Sequence, residues 1–214
     1  MKSPSGMSDK ILSYRTVLFD FDGVLCHGRF YEKALLPEHR EVRDWLQANV
    51  FGDKELVRKW MRGQVGSVEV NRLIAQNTNI EYGTLARLFE ESVVGMELDK
   101  EVLAVAESLK RAGRKIGLVT DNMDVFTKIT VPNHRLDSLF DVIINSADHG
   151  VLKNEDGGRL FDIALSALGE DVGDSLMVDD SAATIELFRQ KGGQGFVYRD
   201  AAGLKEFLSS RTPF

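Results

Sequence analysis

The stretch Leu18-Phe19-Asp20-Phe21-Asp22-Gly23-Val24 decides how the rest of the chain is read. Val17 to Phe19 is apolar and predicts a short buried strand, the centre of a first strand over 14–20. Two carboxylates follow, two residues apart, and Gly23 lets the chain turn sharply. On a strand, residues two apart point the same way. Past the strand's end that geometry loosens, yet both side chains still crowd one small volume. Two like charges that close are costly unless a cation sits between them or one takes up a proton. Asp-x-Asp-Gly at the carboxyl end of a strand therefore points to a hard-metal site, to a nucleophile with its acid/base partner, or to both. A strand closed by an ordinary turn would also use Asp and Gly, so the remaining chain has to decide.

From about 30 to 95 the apolar spacing is helical and no strand is convincing. Glu38 to Phe51 places Val42, Trp45, Leu46 and Val50 on one face, and Asp53 to Arg62 does the same with Leu56, Val57, Trp60 and Met61. Ser67 is placed to cap a third helix through Gln76, and Glu81 to Val94 makes a fourth. Four such helices can form a small bundle. Gly28 and Gly95 mark where it leaves and re-enters the rest, so 28–96 reads as an inserted helical domain within 11–27 and 97–214. Beyond Gly95, helix and strand alternate: helix 99–111, strand 115–120, a short helix from Asp124 limited by Pro132, strand 140–145, helix 159–168, strand 175–178, helix 181–191, strand 195–198 and helix 201–209. Short, continuously apolar strands separated by helices imply a parallel sheet covered on both faces. Ligands of such sheets bind beyond the carboxyl ends of the strands.

Those ends carry the chemistry. The first strand ends in Asp20 and Asp22, the second in Thr120-Asp121-Asn122, and the fourth in Asp179-Asp180-Ser181, while Lys153 lies in the loop after the third. Singly, each has a plain use: Thr120, Asp180 or Ser181 as a helix cap, Lys153 as a solvated lysine. Together they deliver five acidic side chains, a hydroxyl and an ammonium to one sheet edge. That many carboxylates repel without a cation, and Mg2+ suits oxygen donors. Lys153 adds a positive charge able to hold an anion beside the metal.

In this order the motifs resemble the haloacid dehalogenase-like (HAD) hydrolase superfamily: DFDGV at 20–24, LVT ending at Thr120, Lys153, and VDDS at 178–181. The resemblance runs from about Val17 to Val197, and the helical insertion after the first motif looks like that family's C1 cap. It implies a Rossmann-like α/β core with a helical cap and a Mg2+-dependent phosphatase working through an aspartyl phosphate. Asp20 would be the nucleophile and Asp22 the general acid and base. Thr120, with the backbone amide of Asp121, and Lys153 would bind the phosphoryl oxygens. Asp20, the carbonyl of Asp22, and Asp180 would bind Mg2+, with Asp179 assisting. Such chemistry needs positioning and charge neutralisation above all. Two positions depart from the family pattern: Asn154 stands where a proline usually follows the lysine, and Thr184 where many members carry a further Asp. Alternative activities are a phosphomutase of the sugar-phosphate type, haloacid dehalogenation, against which Asp22 argues, or a non-catalytic binding role.

The cap would choose the leaving group. His27, Arg29, Phe30 and Tyr31 enter it nearest the Asp pair; Arg58, Trp60 and Arg62 share one helix, as a partly solvated face rather than a pocket; Asp148 and His149 are candidates to line the site from below. The 214 residues suffice for one core plus an accessory domain. A net charge of −6, from 33 acidic and 27 basic residues, argues against nucleic acid as a partner but not against a small anionic substrate. The single cysteine, Cys26, excludes an internal disulfide and reads as a packing residue in a cytoplasmic protein. Residues 1–10 are polar, without a signal peptide's apolar run, and read as a flexible tail. No stretch is apolar for long enough to span a membrane. The expected partner is a small phosphorylated metabolite, and the expected state a monomer or homodimer.

Overall fold

A computed structural model describes residues 14–28, 31 and 40–210; the tail at 1–10, Arg29, Phe30 and Glu38 lie outside the described residues. Five strands, β1 (Thr16–Phe19), β2 (Lys115–Thr120), β3 (Val142–Asn145), β4 (Ser175–Asp179) and β5 (Gln194–Val197), form one sheet in the order β3-β2-β1-β4-β5. Every pairing is parallel. Alternation along the strands divides the core. Val17, Phe19, Ile116, Leu118, Leu176 and Val178 face one side, where they pack with Val102 of α5 (Lys100–Arg111) and Leu204 of α11 (Ala201–Ser209). Leu18, Val119 and Met177 face the other, against Phe161 of α9 (Arg159–Leu168) and Phe188 of α10 (Ala182–Gln190). Both faces of the sheet are thus covered, which is why its strands read as unbroken apolar runs.

Register carries the fold to the site. Phe19 lies opposite Val178 in β4, so Asp20 emerges beside Asp179, and the Asp20 amide donates to the Val178 carbonyl at 2.9 Å. On the other flank, Thr120 pairs with Asn145. Strand ends far apart in sequence are thereby brought to one edge. Gly117 in β2 permits the close packing: a Cβ there would sit 2.7 Å from Leu18 Cδ2 and 2.9 Å from Val142 Cγ1.

The insertion between β1 and α5 consists of α1 (Arg40–Leu46), continued as a π-helical turn over Gln47–Phe51, then α2 (Lys54–Met61), α3 (Ser67–Asn77) and α4 (Tyr82–Val94). Trp60, Val70, Ile74, Leu85 and Phe89 form its own apolar cluster, into which Met123 and Val125 from the loop after β2 are packed. Trp60 is fully buried, unlike the partly solvated face expected of its helix.

Three sequence expectations change. Pro132 does not limit the helix that begins at Asp124. A π-helical turn (Phe126–Thr130) runs into α6 (Val131–His134), and Pro132 sits where the π pattern gives way to α rather than ending the helix; left-handed Arg135 ends the run. Two further short helices, α7 (Leu136–Leu139) and α8 (Ser146–His149), flank β3; four residues are too few to show a helical period. Ser67 is the first residue of α3 rather than its cap. Gly66 is the cap, its amide donating to the Glu69 carboxylate at 3.0 Å, and the Ser67 amide donates to Asp124 at 3.1 Å.

Candidate active site

Asp20 follows β1 and is nearly buried. Its Oδ1 accepts from the Phe21 amide at 2.8 Å, and its Oδ2 lies 2.6 Å from Lys153 Nζ. Lys153 is itself buried and also reaches Asp179 Oδ2 at 2.7 Å. Asp179, fully buried at the end of β4, accepts from the Ser181 amide at 2.7 Å through its other oxygen. Asp121 receives the Lys153 backbone amide at 2.8 Å, which fixes the lysine's loop against the end of β2. Asp180 is exposed beside this group.

One ammonium serves several acids. Burial pushes the Asp20 carboxyl up to about 8; Lys153 opposes this, while Asp179 and Asp22 add to it. Burial alone would lower Lys153, but Asp20, Asp179 and Asp121 outweigh it and hold the ammonium above its ordinary value. Burial likewise raises Asp121. The lysine is firmly charged, and the carboxylates remain short of positive charge. A divalent cation fits that deficit: one oxygen from each of Asp20, Asp179 and Asp180 lies within 4.8 Å of the others, an all-oxygen donor set suited to Mg2+. Gly23 holds Asp180 close. At φ +77°, a Cβ on Gly23 would stand 2.3 Å from Asp180 Oδ2.

Asp22 stands apart from that trio. Its Oδ2 accepts from Asn122 Nδ2 at 3.0 Å, and its carboxylate is not one of the three clustered oxygens. Asn122 is held in turn: its amide donates to Asn145 Oδ1 at 3.2 Å and Ser146 Oγ at 3.0 Å. Thr120 is fully buried and does not line the cavity, and its Oγ1 has no hydrogen-bond partner among the described residues. The two departures from the family pattern meet, with Asn154 Nδ2 donating to Thr184 Oγ1 at 3.3 Å.

A cavity of about 540 Å3 opens over these groups. Asp20, Asp22, Asp121, Lys153, Asp179 and Asp180 all line it, as do Cys26 and His27. His27 lies 3.5 Å from Asp99 and stacks on Tyr198. Asp148 and His149 do not line the cavity: both are exposed on α8, and Asp148 accepts instead from Thr127 Oγ1 at 2.6 Å. Arg58 is exposed, and Arg62 is bound to Glu155, its Nε donating at 2.9 Å. The sequence reading missed Asn122, whose signal was its place just after the Thr-Asp strand end. It also missed the apolar wall described below.

The insertion is tied to the core beside the site. Ser146 Oγ donates to the Met61 carbonyl at 2.6 Å, Arg62 pairs with Glu155, and Asp124 accepts from Ser67, Trp60 and Lys128. Burial works against the Asp124 carboxylate, yet these donors hold it below its usual range.

Over residues 14–192 the sequence matches the haloacid dehalogenase-like hydrolase family. The chain belongs to that family. A search of curated proteins found no match. Among solved structures, this HAD-like chain is similar to the HAD family enzyme BT-2542 of Bacteroides thetaiotaomicron, solved with magnesium and inorganic phosphate. The TM-score is 0.65 at 14% identity, covering 90% of this chain and 99% of that one. A HAD phosphatase from Thermococcus onnurineus gives a TM-score of 0.64 at 19% identity over 92% and 100% of the two chains. L-2-haloacid dehalogenase from Xanthobacter autotrophicus gives 0.63 at 16% identity over 93% and 84%. At these identities the likeness is one of fold. No described helix is long and apolar enough to cross a membrane.

Proposed function

We propose that this HAD-like hydrolase is a Mg2+-dependent phosphatase that acts on a small phosphorylated metabolite through an aspartyl phosphate. The observation that carries the reading is Asp20: a carboxylate at a strand end, 2.6 Å from a buried lysine and grouped with two further carboxylates. Asp20 attacks phosphorus, forming one O–P bond as the ester O–P bond breaks. Asp22, oriented by Asn122, gives its proton to the departing oxygen and then takes one from the water that cleaves the aspartyl phosphate. Lys153 and the amide of Asp121 receive the phosphoryl oxygens, while the Thr120 hydroxyl, outside the cavity lining, is given no contact. Asp20, the Asp22 carbonyl and Asp180 would hold Mg2+, with Asp179 keeping Lys153 in place beside them. When bound, the ion supplies charge neutralisation for the phosphoryl group. Residues 28–96 serve as a cap over 11–27 and 97–214, supported by the cavity residues they contribute. Haloacid dehalogenation would use Asp20 as nucleophile but would leave Asp22 and the cation site of the acidic trio without use.

Hydrolysis of 4-nitrophenyl phosphate tests this: turnover is expected with Mg2+, lost with chelator and restored by added Mg2+. Equal rates with and without chelator would refute the metal's part. Gly23→Ala probes the trio without touching a carboxylate, because the new methyl displaces Asp180. Cation affinity, read by calorimetry, should fall on the order of 10-fold. Gly113→Ala is the control. It sits at φ +76° with nothing within 4 Å, so it carries the same backbone strain and leaves cation affinity unchanged.

A further inference from the structure

The insertion's part in the cavity is chemically one-sided. Among the described residues, 28–96 contribute to its lining only Gly28, Phe51, Met61 and Met96. Met123, from the loop after β2, extends the same wall. Three of the chain's six methionines therefore line one cavity. The remaining lining is predominantly polar and contains the catalytic groups proposed above. So the cavity has a charged end that would hold the phosphoryl group and an apolar end to which the described residues of the insertion bring no hydrogen-bonding side chain.

Arg62 follows Met61 directly, but its guanidinium is held by Glu155, and it is not part of the lining. A substrate with a second phosphate or carboxylate would find no described cation from the insertion to meet it. A sugar would place hydroxyls against thioethers and a phenyl ring, and each hydroxyl buried without a partner is costly. An uncharged, mostly apolar group loses nothing there and gains from leaving water. Methionine is unbranched and polarisable, fits irregular or flat surfaces, and makes favourable contacts with aromatic rings. The cavity volume, about 540 Å3, lies within the range of small-ligand sites.

We propose that the leaving group of this enzyme is an uncharged, predominantly apolar hydroxyl compound, such as a phenol or an arylalkyl alcohol, seated against Phe51, Met61, Met96 and Met123. The inference rests on the phosphatase reading and names the substrate class of that same site. The reaction it implies is hydrolysis of an apolar phosphate monoester to the free hydroxyl compound and inorganic phosphate.

Binding of non-hydrolysable probes separates the two readings. Inorganic phosphate, benzylphosphonate and phosphonoacetate are titrated into the full chain with Mg2+ by calorimetry. Benzylphosphonate is expected to bind at least 10-fold tighter than phosphate, and phosphonoacetate no tighter than phosphate. Met61→Lys puts a cation into the apolar wall and should reverse the order of the two phosphonates. Should that variant unfold, Phe51→Ala serves instead, and it should lower the ratio of benzylphosphonate to phosphate affinity. Phosphate binding with phosphonoacetate preferred, or with all three probes equal, overturns the apolar leaving group and leaves the phosphatase intact. Absence of binding by all three overturns both.

Discussion

Asp20→Asn lowers kcat toward an aryl phosphate by at least about 10^4-fold while the protein remains folded. The substitution is isosteric, so the effect is chemical. An amide cannot form the acyl phosphate that divides the displacement into two steps. The structural reasons for a conserved fold are local. The Phe21 amide, which donates to Asp20 Oδ1 at 2.8 Å, still finds the amide oxygen. Lys153 loses a partner at 2.6 Å but keeps Asp179 at 2.7 Å. Loss of that ion pair is offset because a carboxylate that burial and its acidic neighbours push up has been removed. Stability should stay within about 1 kcal/mol of wild type, roughly 2–4 °C in Tm for a chain of this size. Steady-state kinetics beside a thermal melt decide the matter. A variant that melts normally and keeps a tenth of the activity would show that Asp20 is not the nucleophile.

What can be read from this sequence is chiefly where polar residues meet strand ends. Val17–Phe19, Ile116–Val119 and Leu176–Val178 are unbroken apolar runs because both sheet faces are covered, and each run stops at an acidic or hydroxyl residue. Spatial order is not written in any one of those runs. That β1 lies between β2 and β4, bringing Asp20 between Thr120 and Asp179, follows from the pairing of strands distant in sequence. Helical periodicity locates α2 but is silent on which neighbour each side receives. Trp60 and Met61 are adjacent and read alike, yet Trp60 points into the insertion's own cluster while Met61 borders the cavity. Neighbours on a helix point about 100° apart, so one can pack inward while the next faces the cavity, and the turn that follows seats the helix end against the core. Gly63, at φ +64°, brings the chain so near Ala147 that a Cβ would lie 2.3 Å from its carbonyl oxygen. The misplacement of Asp148 and His149 has the same origin: α8 is too short to declare itself, and its turn points both side chains to solvent. Asn122 is quieter still, since its use depends on Asp22 arriving from another strand.

The other large effect belongs to Lys153. Replacing it with Met should destabilise the fold by about 3–5 kcal/mol, because removing one partner of a buried ionic group strands the others. Lys153, Asp20 and Asp179 have side chains only 5%, 8% and 0% exposed, so water cannot readily take the lysine's place. The stranded carboxylates then respond to pH in a definite sense. Asp20 already titrates above its unfolded value, and the lysine is what opposes that rise. Without it, the folded-state pKa climbs further. A carboxylate with a raised folded pKa favours the folded state below its unfolded pKa, and that contribution is lost as pH rises toward the folded value. Below about pH 8 Asp20 keeps its proton in both folded proteins, so the gap between Lys153→Met and wild type should be flat there and widen above about pH 8, where only the wild-type carboxyl, beside its lysine, ionises. Urea melts from about pH 6 to about pH 9 read the gap directly, and a gap that narrows above about pH 8 would rule out the stranded-carboxylate account. Adding Asp20→Asn to Lys153→Met removes the carboxyl that must keep its proton to stay buried and should recover part of the lost stability at about pH 9, where a merely spatial role for the lysine would leave the double variant no better than the single.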